Sequence, residues 1–213
     1  MDPDLARMRA EYAAAGIDEA VAGNDPFVLF TRWMAEAVAA QVVESNAMAL
    51  ATSTLDGRPS VRIVLLKGLD EDGAVFYTNY DSRKGEELDA NPYAAAVLLW
   101  HPLQRQVRIE GAVSRIDPAQ SDEYFAHRPR GAQLGAVSSP QSQVVAGRSE
   151  LETRFDSVEG HFAGRPVERP DHWGGYRIEL HTIEFWQGRP NRLHDRLLFA
   201  RIPRGWDVER LAP

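Results

Sequence analysis

The sequence predicts an α+β fold built on an antiparallel sheet, with enough strands to close into a small barrel. Three observations carry this expectation. Short strand-like runs follow one another mostly in hairpin order, which favours antiparallel pairing. Turn signals at Asp56-Gly57 and Asp72-Gly73 fall between such runs. Short helices with recognisable starts, such as Asp25-Pro26 and Asp117-Pro118, interrupt the strands.

In chain order, Asp4–Ala15 is Ala-rich and charged and reads as a loosely held helix, and Gly16 and Gly23 bracket a turn. Asp25-Pro26 opens a helix whose Phe27, Phe30, Met34, Ala37, Val38 and Gln41 recur at helical spacing, so that face is expected to meet a core. Ala47–Thr54 and Ser60–Lys67 form a hairpin about Asp56-Gly57. A turn over Leu69–Gly73 leads into a strand at Ala74–Thr78. A short helix follows Arg83 and ends at Asn91-Pro92. Tyr93–Trp100 and Gln104–Ile116 are strands, the second keeping Val107, Ile109 and Val113 on one parity. Asp117-Pro118 opens a helix to about His127, Arg128-Pro129-Arg130 ends it, and Arg148–Gly160 is another helix. Gly175–Gln187, Arg192–Arg201 and Trp206–Leu211 complete the strands. No linker is evident, so residues 1–213 are read as one domain, with 1–23 a helical segment free to move.

Composition narrows the chemistry. The 213 residues include no cysteine, which excludes disulfides, thiolate zinc sites, iron–sulfur clusters and thiol nucleophiles. With 24 Lys and Arg against 31 Asp and Glu, the net charge of −7 argues against a general nucleic-acid binder. No apolar run approaches the ~20 residues of a membrane helix, and Met1-Asp2-Pro3-Asp4 lacks the basic start of a secretory signal, so the cytoplasm is the expected compartment. There is no dinucleotide-binding glycine fingerprint, no Walker loop and no nucleophile elbow. The six histidines show no H-x-x-x-H pair, and no metal is expected.

The positive signal lies in where the cations sit. Arg62 and Lys67 flank an apolar strand, Arg83-Lys84 opens a helix, Arg105 and Arg108 lie on another strand, and Arg128 and Arg130 close a helix. Strand alternation would put Arg192, His194 and Arg196 on one face. Clustered cations repel unless an anion sits among them, and phosphate suits the arginine fork. Any one of them could instead pair with a surface carboxylate, worth ~0–1 kcal/mol. The whole set, spread over five strands and turns, favours a phosphate site, and two phosphates suit the number better than one. Trp186 and Trp173 read more readily as packing than as ligand platforms. Tyr124 is unremarkable unless Arg128, one turn on, shares its ligand. Gln141-Ser142 is a plausible hydrogen-bonding pair and says little alone.

Taken in order, several segments resemble the pyridoxine/pyridoxamine 5′-phosphate oxidase family. They are Arg62–Lys67 (RIVLLK), Val75–Asn79 (VFYTN), Ser82–Lys84 (SRK), Arg105–Val107 (RQV), Tyr124-Phe125 with Arg128–Arg130 (RPR), and Gln141-Ser142. Trp173–Gly175 (WGG), Glu184–Gly188 (EFWQG), Arg192–Arg196 (RLHDR) and Arg210–Pro213 (RLAP) continue the series to the last residue. The resemblance implies an FMN-binding split β-barrel with flanking helices, working as a homodimer with FMN in clefts between subunits. It implies oxidation of pyridoxine or pyridoxamine 5′-phosphate by O2 to pyridoxal 5′-phosphate, with release of hydrogen peroxide.

Carried over residue by residue, the resemblance assigns FMN to Arg62, Lys67, Tyr77, Thr78, Arg83, Lys84, Gln106, Gln141, Ser142, Trp186 and Arg196. Lys67, Tyr124 and Arg128 would hold the substrate phosphate. Arg192 and His194 would border the reacting C4′ carbon as catalytic residues, and Arg9 and Tyr12 match a segment that covers the substrate. One position departs: the family often has a serine hydroxyl at the substrate phosphate where this chain has Ala132. A lost hydrogen bond to a charged group costs ~1.5–3 kcal/mol unless water or a backbone N–H replaces it.

Overall fold

The computed structural model describes residues 12 and 16–213. The expected helix over Asp4–Ala15 and the site residue Arg9 lie outside the described residues. In chain order the elements begin with α1 (Glu19–Ala22), α2 (Pro26–Ala39), β1 (Ala47–Ser53), β2 (Pro59–Leu65), β3 (Gly68–Asp70), β4 (Gly73–Asn79), α3 (Arg83–Ala90) and β5 (Tyr93–Trp100). They continue with β6 (Arg105–Arg115), α4 (Pro118–Ala126), α5 (Arg130–Ser138), α6 (Arg148–His161), β7 (Trp173–Ile178), β8 (Thr182–Gln187), β9 (Asp195–Ile202) and β10 (Gly205–Arg210). Among the described residues no helix is long and apolar enough to cross a membrane. The chain forms two compact units, one from Met1–Met48, Ala96–Ile109 and His181–Pro213, the other from Ala49–Ala95 and Glu110–Leu180.

In the first unit the strand order is β10-β9-β8-β6-β5, with β8, β9 and β10 an antiparallel meander registered by Phe185↔Leu197 and Val208↔Phe199. α2 starts as the sequence indicates: the Asp25 carboxylate accepts from the Phe27 N–H at 2.8 Å and Pro26 fills the first turn. Its buried face is Leu29, Phe30, Trp33 and Ala37. This corrects the expected face, since Val38 is exposed and Gln41 lies beyond the helix. The helix turns to bury its largest side chain. Trp33 packs edge-on against Phe185, with centroids 5.3 Å apart, and against Trp100 at 6.3 Å. Trp100 satisfies its indole N–H on the Ser45 carbonyl at 2.7 Å.

In the second unit β5-β1-β2 are neighbours, and β3, β4, β7 and β6 follow one another by antiparallel pairing, registered by Phe76↔Tyr176 and Val113↔Ile178. The β1–β2 hairpin closes over Thr54–Arg58 with Gly57 at φ 83°, where glycine is least strained. Leu50, Phe76 and Ile178 are fully buried. Helices α4–α6 add a cluster of Phe125, Leu134, Val167 and Trp173. Gly174 and Gly175 let β7 lie against Tyr80, Tyr77 and Ile116, because a Cβ at either would overlap those side chains.

Among the described residues there are ten strands, more than the runs read from the sequence. The run Gly175–Gln187 is two strands, interrupted at residues 179–181 where the Glu179 N–H bonds the Ala112 carbonyl. Leu69–Gly73 is not only a turn: β3 pairs with β4 about residues 71–72, and Asp70 accepts from the N–H groups of Asp72 and Gly73. α5 occupies residues read as no more than a helix end, and Pro190–Arg192 is a 3₁₀ turn, so β9 begins at Asp195 rather than Arg192.

Candidate active site

The second unit holds a cleft of about 660 Å³, a size usual for small-molecule sites. Its walls are the end of β2 with Lys67, the C-terminal half of β4 with Tyr77, Thr78 and Asn79, and Lys84 from the first turn of α3. Tyr124 and Arg128 from α4 and its end, Ala132 and Ala136 from α5, Ser139 and Gln141 beyond it, and Trp173 of β7 complete the lining. Eight residues singled out from the sequence therefore meet here: Lys67, Tyr77, Thr78, Lys84, Tyr124, Arg128, Ala132 and Gln141.

Lys84 is a buried cation with neutral company. Its ammonium donates to Thr78 Oγ1 at 2.9 Å, Ser82 Oγ at 3.0 Å and Gln141 Oε1 at 2.8 Å, and no carboxylate pairs with it among the described residues. Burial, reinforced by the Arg62 charge, pulls its pKa down to about 8. Arg128 differs in leaving a donor unpaired. Its Nη2 donates to the Ala132 carbonyl at 3.0 Å and its guanidinium lies 4.5 Å from the Trp173 ring centroid, while its buried Nε has no partner. Burial lowers its pKa and the neighbouring Tyr124 opposes the shift. Lys84 therefore carries a charge without a counter-charge among the described residues, and Arg128 a donor without an acceptor.

One cleft wall is aromatic. Tyr77 and Tyr124 stack at 3.8 Å and 8°, and Tyr77 and Trp173 at 5.6 Å and 11°. Burial, then the adjacent Tyr124, raises the Tyr77 pKa, so its hydroxyl keeps its proton. Trp173 read as plain packing in the sequence; it is buried, yet it also forms the floor beneath Arg128.

The other second-unit candidates sit on a different feature. Arg62 and Arg83 both bond Glu87, at 3.4 Å and 2.8 Å, and neither lines the cleft; nor does the exposed Ser142, which turns the chain at φ 72°. Glu87 was missed because Glu86, Glu87 and Asp89 together look like a solvated helix face.

A separate group forms in the first unit. Tyr12 packs edge-on against Trp186 at 5.9 Å and His194 at 5.6 Å, and Trp186 and His194 are 4.7 Å apart. His194 Nδ1 accepts the Arg189 backbone N–H at 3.0 Å, which leaves the ring proton on Nε2. Burial and the Arg192 charge lower its pKa against the pull of Asp195. Arg192 itself is exposed in the 3₁₀ turn at φ 62°, so the expected shared strand face of residues 192, 194 and 196 does not exist. Arg196 grips Glu184 with Nε and Nη2 at 2.8 and 3.0 Å, and that contact raises its pKa. Gln106 is half-buried on β6. Among the remaining cations, Arg105 pairs with Glu36 and Gln187, Arg108 with Glu184, and Arg130 caps the carbonyls of Phe162 and Arg165. For these the carboxylate or backbone partner prevails over phosphate.

An antiparallel sheet with flanking helices and a cleft of under-neutralised cations beside stacked aromatics is an arrangement suited to a phosphorylated, planar ligand. Comparison with known proteins sharpens this class. Residues 34–162 match the family model described as pyridoxamine 5′-phosphate oxidase, and residues 173–213 match that of the pyridoxine 5′-phosphate oxidase C-terminal dimerisation region. A pyridoxine/pyridoxamine 5′-phosphate oxidase of Rubrobacter xylanophilus is 56% identical over 99% of this chain and 97% of its own length. One from Synechocystis is 52% identical over 98% of each. The crystal structure of PhzG from Burkholderia lata, in complex with tetrahydrophenazine-1-carboxylic acid, superposes with a TM-score of 0.88 at 31% identity over 96% of this chain and all of its own. A pyridoxamine 5′-phosphate oxidase-related, FMN binding protein from Nostoc punctiforme, at 19% identity and a TM-score of 0.69 over 86% of this chain and 97% of its own, shares the fold. The fold is the split β-barrel with flanking helices. The chain belongs to the pyridoxamine 5′-phosphate oxidase family.

Proposed function

We propose that this chain, acting as one functional domain over residues 1–213, is an FMN-dependent oxidase of pyridoxine or pyridoxamine 5′-phosphate, with O2 as electron acceptor and pyridoxal 5′-phosphate and hydrogen peroxide as products. The observation that carries the reading is a single cleft with two cations that no carboxylate neutralises among the described residues, Lys84 among Thr78, Ser82 and Gln141, and Arg128 beside Tyr124. Two phosphates, one from cofactor and one from substrate, account for both. Full-length relatives named for this activity at 52–56% identity support it.

The residues present fit FMN: Lys84 is a buried ammonium without a counter-charge, and Thr78 and Gln141 beside it are polar, uncharged hydrogen-bonding groups. Arg62, Lys67, Tyr77, Thr78, Arg83, Lys84, Gln106, Gln141, Ser142, Trp186 and Arg196 would hold it. When bound, FMN supplies a two-electron acceptor that takes hydride from the substrate carbon and is reoxidised by O2. The protein's task is binding and aim. Lys67, Tyr124 and Arg128 anchor the substrate phosphate. The Ala132 carbonyl holds Arg128 by Nη2 and so fixes its guanidinium at the cleft. Ala132 thus serves the phosphate through its backbone where a serine would use its hydroxyl. His194 is largely neutral at pH 7, carries its proton on Nε2, and with Arg192 positions the C4′ substituent. Tyr12, packed on the Trp186 and His194 rings, shields that face from water, as Arg9 would.

The active form is a homodimer in which the second subunit completes each cleft. The match of residues 173–213 to a dimerisation region, which contains Trp186, Arg192, His194 and Arg196, supports this. The test is aerobic incubation of the purified protein with added FMN and each substrate, following pyridoxal 5′-phosphate and peroxide. Stoichiometric aldehyde and peroxide that depend on FMN support the reading. A flavin-loaded protein that oxidises neither substrate overturns it.

A further inference from the structure

Glu87 of α3 is 5% exposed and both of its carboxylate oxygens are occupied. Oε2 accepts from the hydroxyls of Thr52 on β1 and Ser60 on β2, and from Arg62 Nη2 at 3.4 Å. Oε1 accepts from Arg83 Nε at 2.8 Å, one turn back on the same helix. Arg62 is tied further, Nη1 donating to Thr52 Oγ1 and, at 3.2 Å, to the Leu50 carbonyl, and Nη2 to Ser60 Oγ. One buried carboxylate therefore joins two strands and a helix through two arginines. Burial alone would raise the Glu87 pKa, but bonds from Ser60, Thr52 and Arg83 outweigh it and hold it at about 2.

A carboxylate whose task was neutralisation would be expected at the most buried cation nearby. Lys84 is adjacent in the helix and feels the Arg62 charge, yet all three of its hydrogen-bond partners are neutral. Arg83, by contrast, is largely exposed and is caught by Nε alone, which leaves both terminal amino groups of its fork without a partner among the described residues. Holding an arginine by Nε and presenting its two Nη groups is the geometry that receives phosphate oxygens. Around one Glu87, Arg62, Arg83 and Lys84 leave two positive charges in excess, the charge of a phosphate dianion.

We infer that Glu87 is a positioning residue for the cofactor phosphate: it fixes Arg83 and Arg62 so that the Arg83 fork faces the site where the phosphate of FMN binds. The inference rests on the FMN reading above and adds the residue that organises the phosphate end of that site.

The sign of the effect separates positioning from neutralisation. Glu87→Gln removes a negative charge, so a neutralising Glu87 predicts tighter FMN. A positioning Glu87 predicts weaker FMN, because glutamine offers one acceptor oxygen where two are used. The experiment measures dissociation constants of the apoprotein for FMN and for riboflavin, which shares the ring system and lacks the phosphate, by quenching of flavin fluorescence. For Glu87→Gln the FMN constant rises roughly tenfold to a hundredfold, and the riboflavin constant stays within about twofold. Ser60→Ala, which removes only one hydroxyl between Glu87 and Arg62, gives the same selective loss at roughly twofold to tenfold, and decides the matter if the Gln variant does not fold. Tighter FMN binding, or equal weakening of both flavins, overturns the role of Glu87. A wild-type protein that binds riboflavin as well as FMN instead overturns the cofactor-phosphate reading beneath it.

Discussion

Replacing Lys84 with methionine is expected to lower the stability of the apoprotein, to remove its gain in stability at high pH and to weaken its hold on FMN. Lys84 is 8% exposed, and its pKa falls from the ordinary 10.5 to about 8 through burial and the Arg62 charge. The unfolded chain therefore holds this proton more tightly than the folded one. The penalty is fully present below pH 8, shrinks as pH rises from about 8 to 10.5, and amounts to about 3 kcal/mol at pH 7. Methionine removes the penalty and forfeits three hydrogen bonds from a charged donor, each worth about 1.5–3 kcal/mol. Two of the partners keep bonds of their own, since Thr78 donates to Gln141 and Ser82 to the Asn79 carbonyl. The forfeited bonds outweigh the penalty by at least about 1.5 kcal/mol, an apoprotein Tm at least about 3 °C lower at pH 7. FMN, lacking its buried ammonium, binds roughly tenfold to a hundredfold more weakly, so the rise in Tm that it brings largely disappears. Thermal melts of both proteins with and without FMN at pH 7 and pH 10 test this. The wild-type apoprotein gains stability over that pH interval through Lys84, and the variant lacks that gain. A Lys84→Met apoprotein that melts higher than wild type at pH 7 and still gains fully from FMN refutes the reasoning.

Other expectations are independent of that one. Ala132→Ser adds a hydroxyl near Arg128 and lowers KM for the phosphorylated substrate by up to about tenfold with kcat little changed; steady-state kinetics check it. Arg192→Ala lowers kcat while the FMN dissociation constant, read by fluorescence, stays as in wild type, because Arg192 is an exposed turn residue outside the Lys84 cluster. Glu184→Ala removes the carboxylate that Arg196 and Arg108 share, and because both guanidiniums stay partly exposed it costs about 1–3 kcal/mol by urea unfolding.

Where a local signal decides the backbone, the sequence was easy to read. Asp25-Pro26, Asn91-Pro92 and Asp117-Pro118 mark helix ends that the structure places within a residue or so, and Tyr93–Trp100 is a strand to the residue. Local signal failed where tertiary packing decides. No breaker announces the gap between β7 and β8, and α5 has no side-chain cap and carries Gly131 and Gly135, which mask a helix held by the burial of Gln133 and Leu134. The face of α2 is set by Trp33 meeting Phe185 and Trp100, partners far along the chain.

The candidate site divides the same way. Cations on strands and at a helix start pointed to Lys67, Lys84 and Arg128, which meet in one cleft. Arg105 and Arg108 carried the same signal and found Glu36 and Glu184 instead, 69 and 76 residues away, a choice no local pattern encodes. The family resemblance supplied Tyr77, Thr78 and Ala132, which composition and spacing alone did not single out, while the role of Glu87 needed coordinates.

The central claim is that a phosphate-anchored substrate passes its electrons to a flavin held in this protein. The most direct measurement mixes the FMN-loaded protein with pyridoxine 5′-phosphate in the absence of oxygen and follows the flavin absorbance. The account predicts loss of the oxidised-flavin band with one aldehyde formed per flavin, recovery of the band when oxygen is admitted, and little loss with unphosphorylated pyridoxine or with the Arg128→Ala protein. A flavin band that stays unchanged with the phosphorylated substrate, or that bleaches equally well with pyridoxine, would contradict it.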